Sequence, residues 1–102
     1  GFGVSLETEL GERVFGTYTG REGAVSRVLH GNHQATLSLP SLSLVPGEYY
    51  VTVAIHDGNG ENIVRIERAA TFQVLARDIT GSGYLVNKSN GLIWLDHQWH
   101  IA

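Results

Sequence analysis

The chain has 102 residues, which suits one domain with a single core between two layers and leaves no room for a second domain. The net charge is -3 and the seven Lys and Arg residues are scattered, which argues against a nucleic acid partner. There is no cysteine for disulfides or thiolate chemistry, and no run of the roughly 18 apolar residues that would span a bilayer, so a soluble, cytoplasmic domain is expected.

The first half of the chain alternates apolar and polar residues with the period of two that is typical of β-strands. Strands are predicted over residues 2–7 and 13–19, joined as a hairpin by a turn around Gly11. A polar, glycine-containing loop is predicted for residues 20–33, and a further strand for residues 34–39.

A strand with two distinct faces is predicted directly after the Pro46-Gly47 pair, which suits the central positions of a type II turn. One face of this strand, residues 49–56, is apolar. The other face carries Tyr50, Thr52 and His56. This second face therefore combines aromatic rings with hydroxyl groups.

The remaining segments complete an all-β chain of about seven strands. A turn is predicted at residues 57–60, followed by a run to residue 74 whose alternation slips at Arg68, which indicates a β-bulge or a break between two strands. Further strands are predicted at residues 84–86 and 92–101. Turn signals every 8 to 12 residues or so indicate an antiparallel β-sandwich.

Several of these segments, taken in order, carry a resemblance to a known family. They are Phe2-Gly3-Val4-Ser5-Leu6, Val14-Phe15-Gly16-Thr17, Leu44-Val45-Pro46-Gly47-Glu48-Tyr49, Val53-Ala54-Ile55-His56-Asp57-Gly58 and Ala70-Thr71-Phe72-Gln73-Val74. The set resembles the C-terminal carbohydrate-binding domain of Wzt, the nucleotide-binding subunit of bacterial ABC transporters that export O-antigen polysaccharide. Residues 91–99 resemble the last strand of that family, which is exchanged between the subunits of a dimer.

The resemblance implies one immunoglobulin-like sandwich over residues 1–102, lacking a β segment that family members carry before the first strand. It implies a homodimer that binds O-antigen at the inner membrane beside the transporter's ATPase and membrane subunits, without inserting into the membrane itself. Sugars present C–H faces and hydroxyls, so their sites need aromatic platforms beside groups that donate and accept hydrogen bonds. The candidate carbohydrate-binding residues are Gln34, Ser38, Tyr50, Thr52, His56 and Trp94.

Trp94 and Trp99 are predicted to point to opposite faces, because they are five residues apart on one strand. Trp99 shares its parity with Ile93, Leu95 and Ile101, which makes it the better candidate for the core or for a dimer contact. Trp94 is then the better candidate for an exposed platform.

Two other interpretations are compatible with the same residues and the same fold. An ordinary solvated sheet face would show the same residues, and a structural or protein-interaction module of a larger surface protein or enzyme would have the same fold.

The pairs His30/His33 and His97/His100 diverge on a strand, and residues 57–61 match only part of a calcium loop, so neither a metal nor a cofactor is expected. No phosphate loop, nucleophile elbow or cleft with paired carboxylates is evident, so neither an ATPase, a glycoside hydrolase nor another enzyme is expected.

Overall fold

The computed structural model describes residues 1–19, 34–57 and 62–101, and it confirms the all-β class. The described strands form one open antiparallel sheet in the order β2-β1-β3-β4. They are β1 (Phe2–Thr8), β2 (Arg13–Tyr18), β3 (Gly47–His56) and β4 (Asn62–Val74). The one helical segment in these residues is a 3-10 turn at Lys88–Asn90, and none of their helices is long and apolar enough to cross a membrane.

The hairpin predicted between β1 and β2 is present. Gly11 lies in its connection with a φ of +84°, a left-handed conformation that favours glycine. Two backbone hydrogen bonds close the connection, from the Gly11 N–H to the Thr8 carbonyl and from the Thr8 N–H to the Glu12 carbonyl. The strand register pairs Leu6 with Phe15 and shifts directly after this pair.

The central pair of the sheet is β1 and β3, whose register gives the sheet two distinct faces. Leu6 lies opposite Val51, and the next residue of β1, Glu7, lies opposite Tyr50. Successive side chains of a strand point to opposite faces, so each cross-strand pair lies on one face. The apolar face carries Phe2, Val4, Leu6, Phe15, Tyr49, Val51, Val53 and Ile55. The polar face carries Ser5, Glu7, Arg13, Tyr18, Tyr50, Thr52 and His56.

The described residues separate into two compact units, and each has its own buried side chains. Residues Gly1–Ser38 and Glu48–Phe72 contain nearly all of the sheet, and there Leu6 and Tyr49 are buried. Tyr49 stacks on Phe72 with 5.6 Å between ring centroids, and burial raises the pKa of its phenol. Aromatic stacking and burial on the apolar face therefore help to hold β4 against β3.

Residues Leu39–Gly47 and Gln73–Ala102 form the second unit, in which Val45 and Val86 are the most deeply buried side chains. The Val45 N–H donates to the Leu92 carbonyl at 3.2 Å, and the Trp94 N–H donates to the Ser43 carbonyl at 2.7 Å. These bonds flank an antiparallel bridge between Leu44 and Ile93.

Several predicted elements differ from the structure. Residues 34–39, 84–86 and 92–101 are not strands, apart from the single bridge at Ile93, because side-chain alternation alone does not supply a neighbouring strand for the backbone N–H and C=O groups. The φ of Gly47, +157°, is far from the value near +80° that a type II turn requires, although β3 does begin there. The loop at residues 20–33 and most of the turn at residues 57–60 lie outside the described residues. The second sheet and the immunoglobulin-like sandwich stay predictions.

Candidate functional site

A groove of about 450 Å³ opens on the polar face of the sheet, and we call it the polar groove. Its lining consists of Glu7, Gly11, Arg13, Tyr50, Thr52, Arg65, Glu67 and Arg68. The strand register explains part of this set, because Glu7 of β1 lies opposite Tyr50 on one side and opposite Arg13 on the other. All four strands contribute to the lining and bring together side chains that are distant in the sequence.

Tyr50 and Arg68 form the aromatic part of the polar groove. The guanidinium carbon of Arg68 lies 4.0 Å from the centroid of the Tyr50 ring, which is a cation–π contact. One guanidinium nitrogen of Arg68, Nη2, also donates a hydrogen bond to the Glu9 carbonyl at 3.1 Å. These two contacts hold the guanidinium over one face of the ring.

The backbone of Arg68 explains how the guanidinium reaches Tyr50. β4 runs unbroken through the position where the sequence alternation slips, and Arg68 has a φ of +52°, a left-handed conformation that is uncommon for any residue but glycine. Such an irregularity re-aims a side chain relative to its strand. Of the two alternatives left open by the sequence, a bulge and a break, the continuous strand favours the bulge.

Glu7 is the carboxylate at the inner side of the polar groove. Its Oε1 accepts a hydrogen bond from the Ser5 hydroxyl at 2.9 Å. Its Oε2 is buried and has no hydrogen-bond donor within the described residues. A buried acceptor without a donor is costly, and because Oε2 has almost no accessible surface, a ligand can reach it only if neighbouring side chains move.

The groove carries an excess of positive charge. Three arginines line it against two glutamates, whereas the whole chain has a net charge of -3. Arg65 is paired with Glu67 through an exposed contact of 3.3 Å between Nε and Oε1. Arg13 makes neither a hydrogen bond nor an ion pair with any described residue, and its side chain lies across Gly16.

The structure brings only two of the predicted site residues into the polar groove, Tyr50 and Thr52. Thr52 is buried, with 5% of its surface exposed. His56 lies on the same face but six residues further along β3, about 20 Å from Tyr50 at the usual rise of a strand, and does not line the groove. There it packs against Tyr18, with 4.6 Å between the ring centroids. The predicted polar-aromatic face is present, with its aromatic groups in two clusters.

The other predicted residues have different surroundings. Gln34 and Ser38 are exposed and belong to no strand, so their predicted position on a strand face is wrong. Trp94 belongs to the second unit and is half-buried, with its ring centroid 5.0 Å from that of His97, whereas an exposed platform was predicted. Trp99 is 84% exposed, so its predicted place in the core is wrong for the single chain, while its role in a dimer stays a prediction.

Sequence reasoning missed the contributions of Glu7, Arg13 and Arg68 to the groove. The slip in alternation at Arg68 was a usable signal, because bulges are frequent beside binding sites. Nothing local links Glu7 with Arg13, whose proximity depends on the shifted register of the hairpin.

A metal site is not evident in residues 1–19, 34–57 and 62–101, where no three His, Asp or Glu side chains come together. His97 instead directs Nδ1 toward the Leu95 carbonyl at 2.7 Å. His30, His33 and most of the partial calcium pattern lie outside the described residues.

The fold and the groove define an all-β domain with an arginine-rich groove on one face of an open sheet. Residues 1–95 match the family model of the Wzt C-terminal domain, and the chain belongs to this family. The resemblance seen in the sequence is therefore confirmed, and it associates the domain with an ABC transporter. A search of curated proteins found no significant match.

Proposed function

We propose that this domain binds bacterial O-antigen polysaccharide in the polar groove, without catalysing a reaction, and so delivers the polymer to its ABC transporter at the cytoplasmic side of the inner membrane. Family membership supports the connection with a transporter. The observation that carries the proposal is the Tyr50 ring beside Thr52 and Arg68 in one open groove.

The chemistry of the groove suits a sugar chain. The part of the Tyr50 ring that Arg68 does not cover would provide apolar surface for the C–H groups of a sugar. Arg13 and Arg68 supply N–H donors for sugar oxygens. A polymer lying along β3 would next reach the Tyr18 and His56 pair, so several sugar units can contribute to binding.

Titration of the domain with the polysaccharide of its own source strain tests this proposal. Isothermal titration calorimetry suits the groove, because neither tryptophan lines it. We expect saturable binding, and no heat of binding with the polysaccharide of an unrelated strain. A folded domain that binds neither polymer, or both equally, would contradict the proposal and favour a protein-interaction module.

We also propose that the domain is a homodimer, formed through residues 92–101. Three large apolar side chains of this segment, Leu95, Trp99 and Ile101, are exposed to solvent in the single chain. Exposed apolar side chains gathered in one segment are typical of an interaction surface. A second copy is the occupant proposed here, and its two grooves would engage one polymer with higher avidity than a single groove.

The double substitution Trp99→Ser and Ile101→Ser is expected to convert the dimer into a monomer, because it removes the two most exposed apolar side chains of the segment. Analytical ultracentrifugation over a range of protein concentrations measures this change. Leu10→Ser is the matched control, since Leu10 is 87% exposed in the β1–β2 hairpin, outside the proposed interface. A monomeric parent protein, or a double variant that still dimerises, would refute this interface.

A further inference from the structure

We infer that the polar groove is selective for an acidic sugar, a unit that carries a carboxylate or a phosphate, and that Arg13 and Arg68 bind its charged group. This inference rests on the proposed function and deepens it, because it names the class of polysaccharide. Arginine suits the role, since its planar guanidinium forms paired hydrogen bonds with carboxylate and phosphate oxygens.

The first observation is that two of the three guanidinium groups in the groove lack an anionic partner within the described residues. Arg65 is neutralised by Glu67. Arg13 has no polar partner there, and Arg68 is held only by the Tyr50 ring and the Glu9 carbonyl. A guanidinium has five N–H donors, so most donors of both side chains have no partner among residues 1–19, 34–57 and 62–101.

The second observation concerns the hydrogen bonds of the Glu7 carboxylate. It lies directly opposite Arg13 in the β1–β2 register, yet its Oε1 accepts from the Ser5 hydroxyl and its Oε2 has no donor in the described structure. Arg13 is therefore not neutralised by the carboxylate nearest to it in the register. The anionic group of a bound sugar would supply the partner that Arg13 lacks among the described residues.

The third observation is the distribution of charge. Three of the seven Lys and Arg residues line this groove, although the whole chain is acidic. The net charge of -3 repels an anionic polymer at long range, so binding of such a polymer in the groove requires a local excess of positive charge. A groove that recognised only neutral hydroxyls would gain little from two unpaired guanidinium groups.

The conformation of Arg68 agrees with this role. Its left-handed backbone, with a φ of +52°, is a strained arrangement of the kind that persists at ligand-binding positions. The guanidinium of this residue lies over Tyr50, where the ring restricts its movement. Arg68 is thus positioned before a ligand arrives, which reduces the entropy lost on binding.

The test compares the dissociation constants of the parent domain and of Arg13→Gln for the source-strain polysaccharide in three forms. These are the native polymer, the polymer with its carboxyl groups reduced to alcohols, and the polymer with its phosphate groups removed. Arg13 is suitable because it is exposed and has no polar partner in the described residues, so its replacement leaves the fold intact. Arg77→Gln is the matched control, since Arg77 is exposed and does not line the groove.

We expect Arg13→Gln to weaken binding of the native polymer by roughly tenfold, as befits a lost charge-assisted hydrogen bond, and Arg77→Gln to have less than a twofold effect. Removing the anionic group from the polymer should weaken its binding to the parent domain by a similar factor. The parent and Arg13→Gln should then bind the modified polymer with equal affinity. The form of the polymer that loses affinity shows whether the anion is a carboxylate or a phosphate. Arg13→Lys should recover part of the affinity, because it restores the charge without the planar fork.

Three results would overturn the inference and leave the proposed function standing. They are tight binding of a native polymer that contains neither carboxylate nor phosphate, equal binding of all three forms by the parent domain, and equal affinities of Arg13→Gln and Arg77→Gln for the native polymer. Failure of the folded parent domain to bind any of the three forms would instead contradict the proposed function itself.

Discussion

Tyr50→Ala is expected to lower the affinity of the domain for its polysaccharide by roughly thirtyfold, which corresponds to the loss of about 2 kcal/mol that a central aromatic contact contributes. The substitution removes the apolar platform of the polar groove. It also removes the ring that holds the Arg68 guanidinium at 4.0 Å, so a second contact with the polymer loses its position. Calorimetric titration with the source-strain polysaccharide measures the effect.

Two further variants make this result specific to the site. Tyr84→Ala is the matched control, because Tyr84 is an exposed tyrosine that does not line the groove, and we expect its affinity to equal that of the parent. Tyr50→Phe keeps the ring and should retain most of the affinity. Equal affinities of Tyr50→Ala and Tyr84→Ala, with both proteins folded by circular dichroism, would exclude the groove as the binding site.

Leu6→Ala is expected to lower the free energy of unfolding by about 2 to 4 kcal/mol, the usual cost of truncating a buried leucine. Leu6 is 5% exposed and lies in the middle of β1, between Phe15 of β2 and Val51 of β3. The smaller side chain loses contacts with both neighbouring strands and leaves a cavity. Because a domain of this size is stable by only about 5 to 15 kcal/mol, the loss is a large fraction of the total.

Urea unfolding, followed by circular dichroism, measures this change as a lower midpoint with an unchanged slope. Leu10→Ala is the matched control, since Leu10 lies in the hairpin next to β1 but is 87% exposed, and we expect a change within about 0.5 kcal/mol. All variants must be compared at one protein concentration, because the proposed dimerisation would make the measured stability depend on concentration. A midpoint for Leu6→Ala equal to that of Leu10→Ala would show that Leu6 does not contribute to the core.

The expected results for Leu6→Ala and Tyr50→Ala distinguish residues that stabilise the fold from residues that bind the polysaccharide. Leu6 and Glu7 are adjacent in β1 and point to opposite faces of the sheet. Leu6→Ala should therefore lower stability while the affinity of the molecules that remain folded is unchanged. Tyr50→Ala should lower affinity with a smaller effect on stability, because Tyr50 is only half-buried.

Local patterns in the sequence by themselves determined the strands β1, β2 and β3 and the two faces of β3. Alternation with a period of two is a local property, and a glycine between two alternating runs, such as Gly11, marks a hairpin without reference to the rest of the chain. These patterns were sufficient to place Tyr50, Thr52 and His56 on one face, and the ordered segments were sufficient to identify the family.

Only the tertiary structure decided which of these residues form the groove. A shift of one residue in register moves a side chain to the other face of a sheet, so the position of Arg13 opposite Glu7 depends on a pairing that no local pattern specifies. The guanidinium of Arg68 lies over Tyr50 because of a backbone irregularity within β4. Residues 34–39 alternate as well as β1 does, yet they are not a strand, because a strand forms only where a neighbour satisfies its backbone hydrogen bonds.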